Sequence, residues 1–67
     1  MTVKLTKREK SIISLVNQGC TNCEIGPIMG TTKHVIKNYL LVIYDKTGMS
    51  SRLELALWWE SHKEQYV

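Results

Sequence analysis

Hydrophobic residues recur at helical spacing in four segments of the chain, and glycines separate these segments. Within each segment Ile, Leu and Val recur three or four positions apart, which places them on one side of a helix. No run alternates apolar and polar residues between turn signals, as a half-buried strand would. The pattern therefore predicts an all-α fold of four helices, over residues 7–17, 22–29, 33–46 and 52–65.

Cap residues set the predicted helix boundaries. In a capping box, a Thr or Ser oxygen accepts from the backbone N–H three residues on, and a Glu there accepts from the cap N–H. The boxes begin at Thr6, Thr21 and Ser51. Thr32 is a fourth N-cap candidate, with Val35 in place of the Glu. Glycines, which adopt the left-handed conformation at little cost, mark the predicted stops. They are Gly19, Gly30 and Gly48.

The apolar stripes predict which side chains form the core. We expect burial of Ile12, Ile13, Leu15 and Val16, then Ile25, Ile28 and Met29, then Ile36, Leu40 and Ile43. The fourth segment is apolar over most of its circumference, and of its two tryptophans we expect Trp59 in the core. Trp58 lies about 100° from Trp59 on the helix, so it is expected to be a partner contact or half-exposed. Gly26 and Pro27 interrupt the second segment. Because proline removes a helical hydrogen bond, this helix is expected to kink or end early.

A short helix, the Gly30-Thr31 turn and a longer helix form the pattern of a helix-turn-helix, whose second helix enters the DNA major groove. Lys pairs with guanine or phosphate, and Asn pairs with adenine. Side chains of these types lie opposite the apolar stripe of the third helix, and helix starts add free N–H groups for phosphates. The candidate DNA-binding residues are Asn22, Lys33, His34, Val35, Lys37, Asn38 and Leu41.

Charge and length narrow the function further. The 67 residues have a net charge of +3, with seven Lys and Arg against three Asp and Glu in residues 1–46 and two against three in residues 47–67. A basic first part favours an anionic partner. So short a chain, without a nucleophile–base pair or a metal-ligand set, indicates no enzyme, no cofactor and no metal. Cys20 and Cys23 lack the second pair or the strand context of a functional C-x-x-C, so we expect reduced thiols.

No apolar run reaches the length of a membrane span and no signal peptide is evident, which predicts a cytoplasmic, nucleoid-associated protein and no membrane partner. Three segments, in order, resemble the LuxR/GerE-type DNA-binding domain. They are Leu5-Thr6-x-Arg8-Glu9, Gly19-x-Thr21-Asn22-x-Glu24-Ile25, and Ile36-Lys37-Asn38-Tyr39-Leu40-x-x-Ile43-x-x-Lys46-x-Gly48-Met49-x-x-Arg52-x-Glu54.

The resemblance implies one four-helix domain over residues 1–67 that binds DNA as a dimer and regulates transcription. It implies base contacts from Lys37, Asn38 and Leu41, with His34 and Val35 near the DNA backbone. On the fourth helix it implies that Leu53 and Leu57 face a second subunit. Trp58 is a further candidate for this partner surface, although the C-terminal tail folding over the two leucines would also explain them.

Two hypotheses follow. The first is a stand-alone transcription factor that binds a pseudo-palindromic site in double-stranded DNA as a homodimer, with contact to RNA polymerase as one route to regulation. The alternative is a protein-interaction module with weak or no DNA binding, which heterodimerises with another regulator through Leu53 and Leu57. Val35, Leu41 and Cys23 favour the alternative, because each stands where the family commonly has a polar or basic residue.

Overall fold

The computed structural model describes residues 3–66, which form four α-helices and a short C-terminal 3-10 helix without any strand. The helices are α1 (Lys7–Asn17), α2 (Asn22–Ile28), α3 (Lys33–Thr47) and α4 (Arg52–His62), and the 3-10 helix is Lys63–Tyr66. The all-α prediction is confirmed. Met1, Thr2 and Val67, which the predicted domain includes, lie outside the described residues.

The boundaries of α1 are as predicted, and the other three helices differ at their C-terminal ends. α2 ends at residue 28 rather than 29, because the Gly30 N–H donates to the Pro27 carbonyl and the Thr31 N–H donates to the Gly26 carbonyl. α3 continues to residue 47 rather than 46, because Gly48, with φ 76°, caps it by donating to the Tyr44 carbonyl.

The prediction of a fourth helix to residue 65 is wrong beyond His62. The chain tightens there into the 3-10 helix, where Tyr66 lies against Trp58 and Trp59 at ring-centroid distances of 5.8 and 6.1 Å. The Tyr66 carbonyl also accepts from Lys10 Nζ at 3.2 Å. These contacts hold the tail on the side of α4 that packs against α1.

Two of the three predicted capping boxes are complete, at Thr6 with Glu9 and at Thr21 with Glu24. At the third, Ser51 Oγ accepts from the Glu54 N–H, but the Glu54 carboxylate accepts from Ser50 instead. Ser50 offers both its N–H and its hydroxyl, each 2.8 Å from Glu54 Oε1. The predicted stops at Gly19, Gly30 and Gly48 all have positive φ, as expected.

One core joins the four α-helices. Its buried apolar members are Ile12, Ile13, Val16, Ile25, Ile36, Leu40, Ile43, Leu55 and Trp59. Leu15 and Met29 are partly buried against it, but the predicted burial of Ile28 is wrong, since its side chain is 60% exposed. Met29 follows Ile25 by four residues and stays near its face of the helix. Ile28 follows by three, at the last helical position, and turns toward solvent.

Gly26 brings α2 and α3 into backbone contact. A Cβ at this buried position would lie 2.9 Å from the Thr32 carbonyl carbon and 3.0 Å from the Lys33 nitrogen. Only a residue without a side chain allows this approach. The adjacent Pro27 is exposed and does not break the helix, which continues through Ile28. Gly26, rather than Pro27, therefore positions the start of α3 against α2.

Glu9 links the start of α1 to the end of α3. Its carboxylate is buried at 4% exposure and accepts from the Thr6 N–H at 2.8 Å and from Lys46 Nζ at 2.9 Å. Burial raises the pKa of Glu9, but the hydrogen bond from the Thr6 backbone and the Lys46 ammonium outweigh it, so the pKa lies below its ordinary value. The carboxylate is therefore held in its charged form.

We expect Gly26→Ala to lower the free energy of unfolding by about 1 kcal/mol or more, because overpacking against fixed backbone atoms outweighs the better helix propensity of Ala. Urea unfolding followed by circular dichroism measures this change. Pro27→Ala, at the neighbouring exposed position, is the control and should be neutral or stabilising. Equal stability of Gly26→Ala and wild type would contradict the close contact.

We expect Glu9→Gln to lower the free energy of unfolding by about 1–3 kcal/mol at pH 7, because the ammonium of Lys46 loses its charged partner. Since the folded pKa of Glu9 is depressed, its contribution is present above about pH 4.5 and is lost as the pH falls through the folded pKa. Between pH 7 and pH 3, the free energy of unfolding of wild type should approach that of Glu9→Gln.

Glu60→Gln serves as the control for this titration. Glu60 accepts from Lys63 at 3.0 Å and from Asn17 at 2.9 Å, but the Lys63 and Glu60 side chains are about half exposed, so removal of Glu60 should change the free energy of unfolding much less than removal of Glu9. A constant difference between wild type and Glu9→Gln across the whole pH range would argue against a charged Glu9 in the fold.

Candidate nucleic-acid interface

α3 has one buried stripe and one outward stripe, each spaced at four, three and four residues. The buried stripe contains Ile36, Leu40 and Ile43 and ends at the half-buried Thr47. The outward stripe contains His34, Asn38, Leu41 and Asp45, all exposed. Lys33 and Lys37 are also exposed. At about 100° per residue Lys37 borders the outward stripe beside Leu41, whereas Lys33 projects toward the side of the buried stripe at the N-terminal end of the helix. The structure thus leaves every predicted residue of α3 exposed, with His34, Lys37, Asn38 and Leu41 on one face and Lys33 and Val35 on opposite sides of it.

The first turn of α3 carries free donors and positive charge. Thr32 Oγ1 accepts from the Val35 N–H at 3.4 Å, and the N–H groups of Lys33 and His34 precede the first intrahelical bond. The first turn has no acidic residue. This turn can therefore donate backbone hydrogen bonds to an anion while Lys33 supplies a positive charge beside it.

Asn22 begins α2 and is tied to α4 by Arg52. Arg52 Nη1 donates to Asn22 Oδ1 and Nη2 donates to the Cys20 carbonyl, both at 2.6 Å. The side-chain oxygen of Asn22 is thus used inside the domain. The phosphate contact predicted for Asn22 uses its backbone N–H at the start of α2, and the bond from Arg52 to the side chain does not involve that N–H. The role of Arg52 was not predicted, because its two acceptors lie thirty or more residues away in the sequence.

Not every basic residue of the first part of the chain contributes to an anion-binding surface. Lys46 is bonded to Glu9, and Lys10 donates to the Tyr66 carbonyl. Lys7 and Arg8 on α1 are exposed. On α3, Lys33 and Lys37 are the exposed lysines that have no ion pair within the described residues. The positive charge on this helix is therefore concentrated in its N-terminal half.

The surface of α3 is also partly apolar. Leu41 is 57% exposed, Val42 47% and Val35 37%. Val35 and Val42, together with Asn38 and Tyr39, line a shallow depression of about 300 Å³. Val42 was not among the predicted residues, although its position seven residues after Val35 places it on the same face.

The outer face of α4 is apolar and open. Leu53 is 71% exposed and Leu57 62%. Trp58 is half-buried and stacks on His62 at a centroid distance of 4.8 Å. The alternative in which the tail folds over the leucines is wrong as far as Tyr66, because the tail packs on the tryptophan side.

The remaining candidate sites add little chemistry. Cys20 and Cys23 are both free thiols, the first half-buried and the second exposed. Within residues 3–66, no three His, Cys, Asp or Glu side chains are grouped closely enough to hold a metal ion. In the same range, none of the helices has the length and apolar character needed to cross a bilayer.

Comparison with known proteins identifies a family of regulators rather than of enzymes. Residues 3–59 match the family described as "Bacterial regulatory proteins, luxR family". No solved structure matches the chain.

Three similar proteins are named as regulators. "Probable transcriptional regulator ycf29" of Pyropia yezoensis is 42% identical over 50 residues, which cover 75% of this chain and 22% of the relative. "Response regulator Rre1" of Synechocystis sp. is 40% identical over 50 residues, with the same two shares. "Transcriptional regulatory protein LiaR" of Bacillus subtilis is 35% identical over 63 residues, which cover 94% of this chain and 29% of the relative. The chain thus spans less than a third of each relative.

Proposed function

The chain belongs to the luxR family of bacterial regulatory proteins, and on this basis we propose that it binds double-stranded DNA and regulates transcription. The observation that carries the proposal is the outward stripe of α3, where polar and basic side chains lie on one exposed surface of a helix fixed by backbone contact at Gly26. The exposed charge on this helix is positive in its N-terminal half, as a polyanionic partner requires.

In this proposal α3 lies in the major groove, which admits an α-helix. Asn38 binds adenine through two hydrogen bonds, while Lys37 binds guanine acceptors or a phosphate. Contacts to the DNA backbone come from the first turns of α2 and α3 and fix the position of the domain on the duplex. The residues assigned to these backbone contacts are Asn22, Lys33, His34 and Val35.

The outer face of α4 provides the proposed homodimer contact, through Leu53, Leu57 and Trp58. Exposed leucines four residues apart form an apolar strip that a second copy covers. A two-fold dimer presents two α3 helices and therefore binds a pseudo-palindromic site, with half-sites about 34 Å or a multiple of this apart. The proposal locates the chain in the cytoplasm, at the nucleoid, where contact with RNA polymerase is one route to regulation.

A second candidate is a heterodimer with another regulator through the same α4 face, with weak or no DNA binding. The apolar side chains on α3 favour it, since Val35, Leu41 and Val42 cannot donate hydrogen bonds to phosphates. Heparin or non-specific DNA binding at low salt separates the two candidates, because the homodimeric DNA-binding protein binds both ligands and the second candidate binds them weakly or not at all.

We expect Lys37→Ala to weaken binding to all DNA sequences, because one phosphate contact is lost. The slope of log K against log salt concentration should become smaller in magnitude by about one. Asn38→Ala should instead relax base preference at one position, because its two hydrogen bonds are directed to a base edge. Gel-shift titrations at several salt concentrations, with duplexes selected from a random library, measure both effects.

Lys63→Ala is the matched control, since it removes the same charge from the 3-10 helix that follows α4. It should leave the affinity and the selected sequence unchanged. If both α3 variants bind like wild type, α3 is not the groove-binding helix.

We expect the double variant Leu53→Ala, Leu57→Ala to shift the chain from dimer to monomer in sedimentation velocity, because both exposed leucines of each partner's apolar strip are truncated. Ile28→Ala is the control, as it removes an aliphatic side chain of similar exposure from α2. A monomer in wild type, free and on DNA, or an unchanged dimer in the double variant, would exclude this interface.

A further inference from the structure

Asn38 lies between apolar side chains on the outward surface of α3. At about 100° per residue, Leu41 is displaced about 60° to one side of Asn38 and Val42 about 40° to the other. Leu41 and Val42 are 57% and 47% exposed. The amide that can bind a base edge is therefore bordered by groups that neither donate nor accept a hydrogen bond.

The charge around this surface restricts its occupant. Lys37 lies beside Leu41 at the edge of the outward stripe, Lys33 is exposed in the first turn of α3, and that turn has no acidic residue. A purely apolar partner would leave these ammonium groups and the Asn38 amide without partners. The surface instead fits an anionic partner that carries an apolar group among hydrogen-bonding groups.

Double-stranded DNA has one such group in its major groove. The C5-methyl of thymine is the apolar group on the base edges there, and it lies among the acceptors and donors of A·T and G·C pairs. An adenine held by two hydrogen bonds to Asn38 places its own and adjacent base pairs within reach of the neighbouring side chains on α3.

We propose that Leu41 recognises the methyl group of a thymine beside the adenine bound by Asn38, so that α3 selects an A·T-containing step. This inference rests on the proposed DNA-binding function and makes it more specific. Leu41 is a specificity-determining residue, since it accounts for discrimination between thymine and a base that lacks the methyl. Burial of one methyl group corresponds to about a fourfold change in affinity.

The test begins with duplexes that the 67-residue chain selects from a random library. In the selected duplex each thymine is replaced, one at a time, by deoxyuridine, which differs only by the missing methyl. Fluorescence anisotropy then gives the Kd for wild type, for Leu41→Ala and for the control Ile28→Ala. Ala keeps the helix intact at an exposed position, which circular dichroism verifies.

We expect wild type and Ile28→Ala to lose about fourfold in affinity at one thymine per half-site, and Leu41→Ala to bind the thymine and deoxyuridine duplexes equally. Equal binding of both duplexes by wild type at every position would overturn the inference and leave the proposed function standing. Retained discrimination in Leu41→Ala would assign the methyl contact to another residue and also overturn it. Failure of wild type to bind any duplex would instead reject the proposed function itself.

Discussion

The backbone contact at Gly26 determines how α3 is presented, because it removes the side-chain layer that normally separates two packed helices. The Thr32 carbonyl carbon would lie 2.9 Å from a Cβ at this position, so α2 and the start of α3 meet directly. The Thr31 N–H also donates to the Gly26 carbonyl at 2.8 Å, which joins the same residue to the turn. Through these contacts the first turn of α3 has a fixed position relative to α2.

Glu9 has a second role that changes the charge of the surface. As the third residue of α1 it completes a capping box, and as the partner of Lys46 it connects α1 to the end of α3. The ion pair uses one lysine of α3 for structure and leaves Lys33 and Lys37 near its start. Nominal charge along the chain therefore overstates the charge that is free for a ligand, and the fold decides where that charge lies.

The caps and the glycines explain why the fold could be predicted from the sequence. They are local signals, and they predicted the first residue of every helix and the last residue of α1 correctly. What could not be predicted depends on contacts distant in sequence, as when Arg52 binds Asn22 from thirty residues away. The 3-10 tail is of the same kind, since Tyr66 accepts from Lys10 at the other end of the chain. The outward positions of α3 follow from periodicity, whereas their ligands do not.

The two stripes of α3 also have a consequence for evolution. Residues of the buried stripe hold the domain together, whereas those of the outward stripe project into solvent and support no core contact. Exposed substitutions of this kind usually change stability by no more than about 0.5 kcal/mol. Sequences of this fold can therefore drift freely along the outward stripe without approaching the threshold of unfolding. Substitutions in the outward stripe are thus uncoupled from the stability of the scaffold.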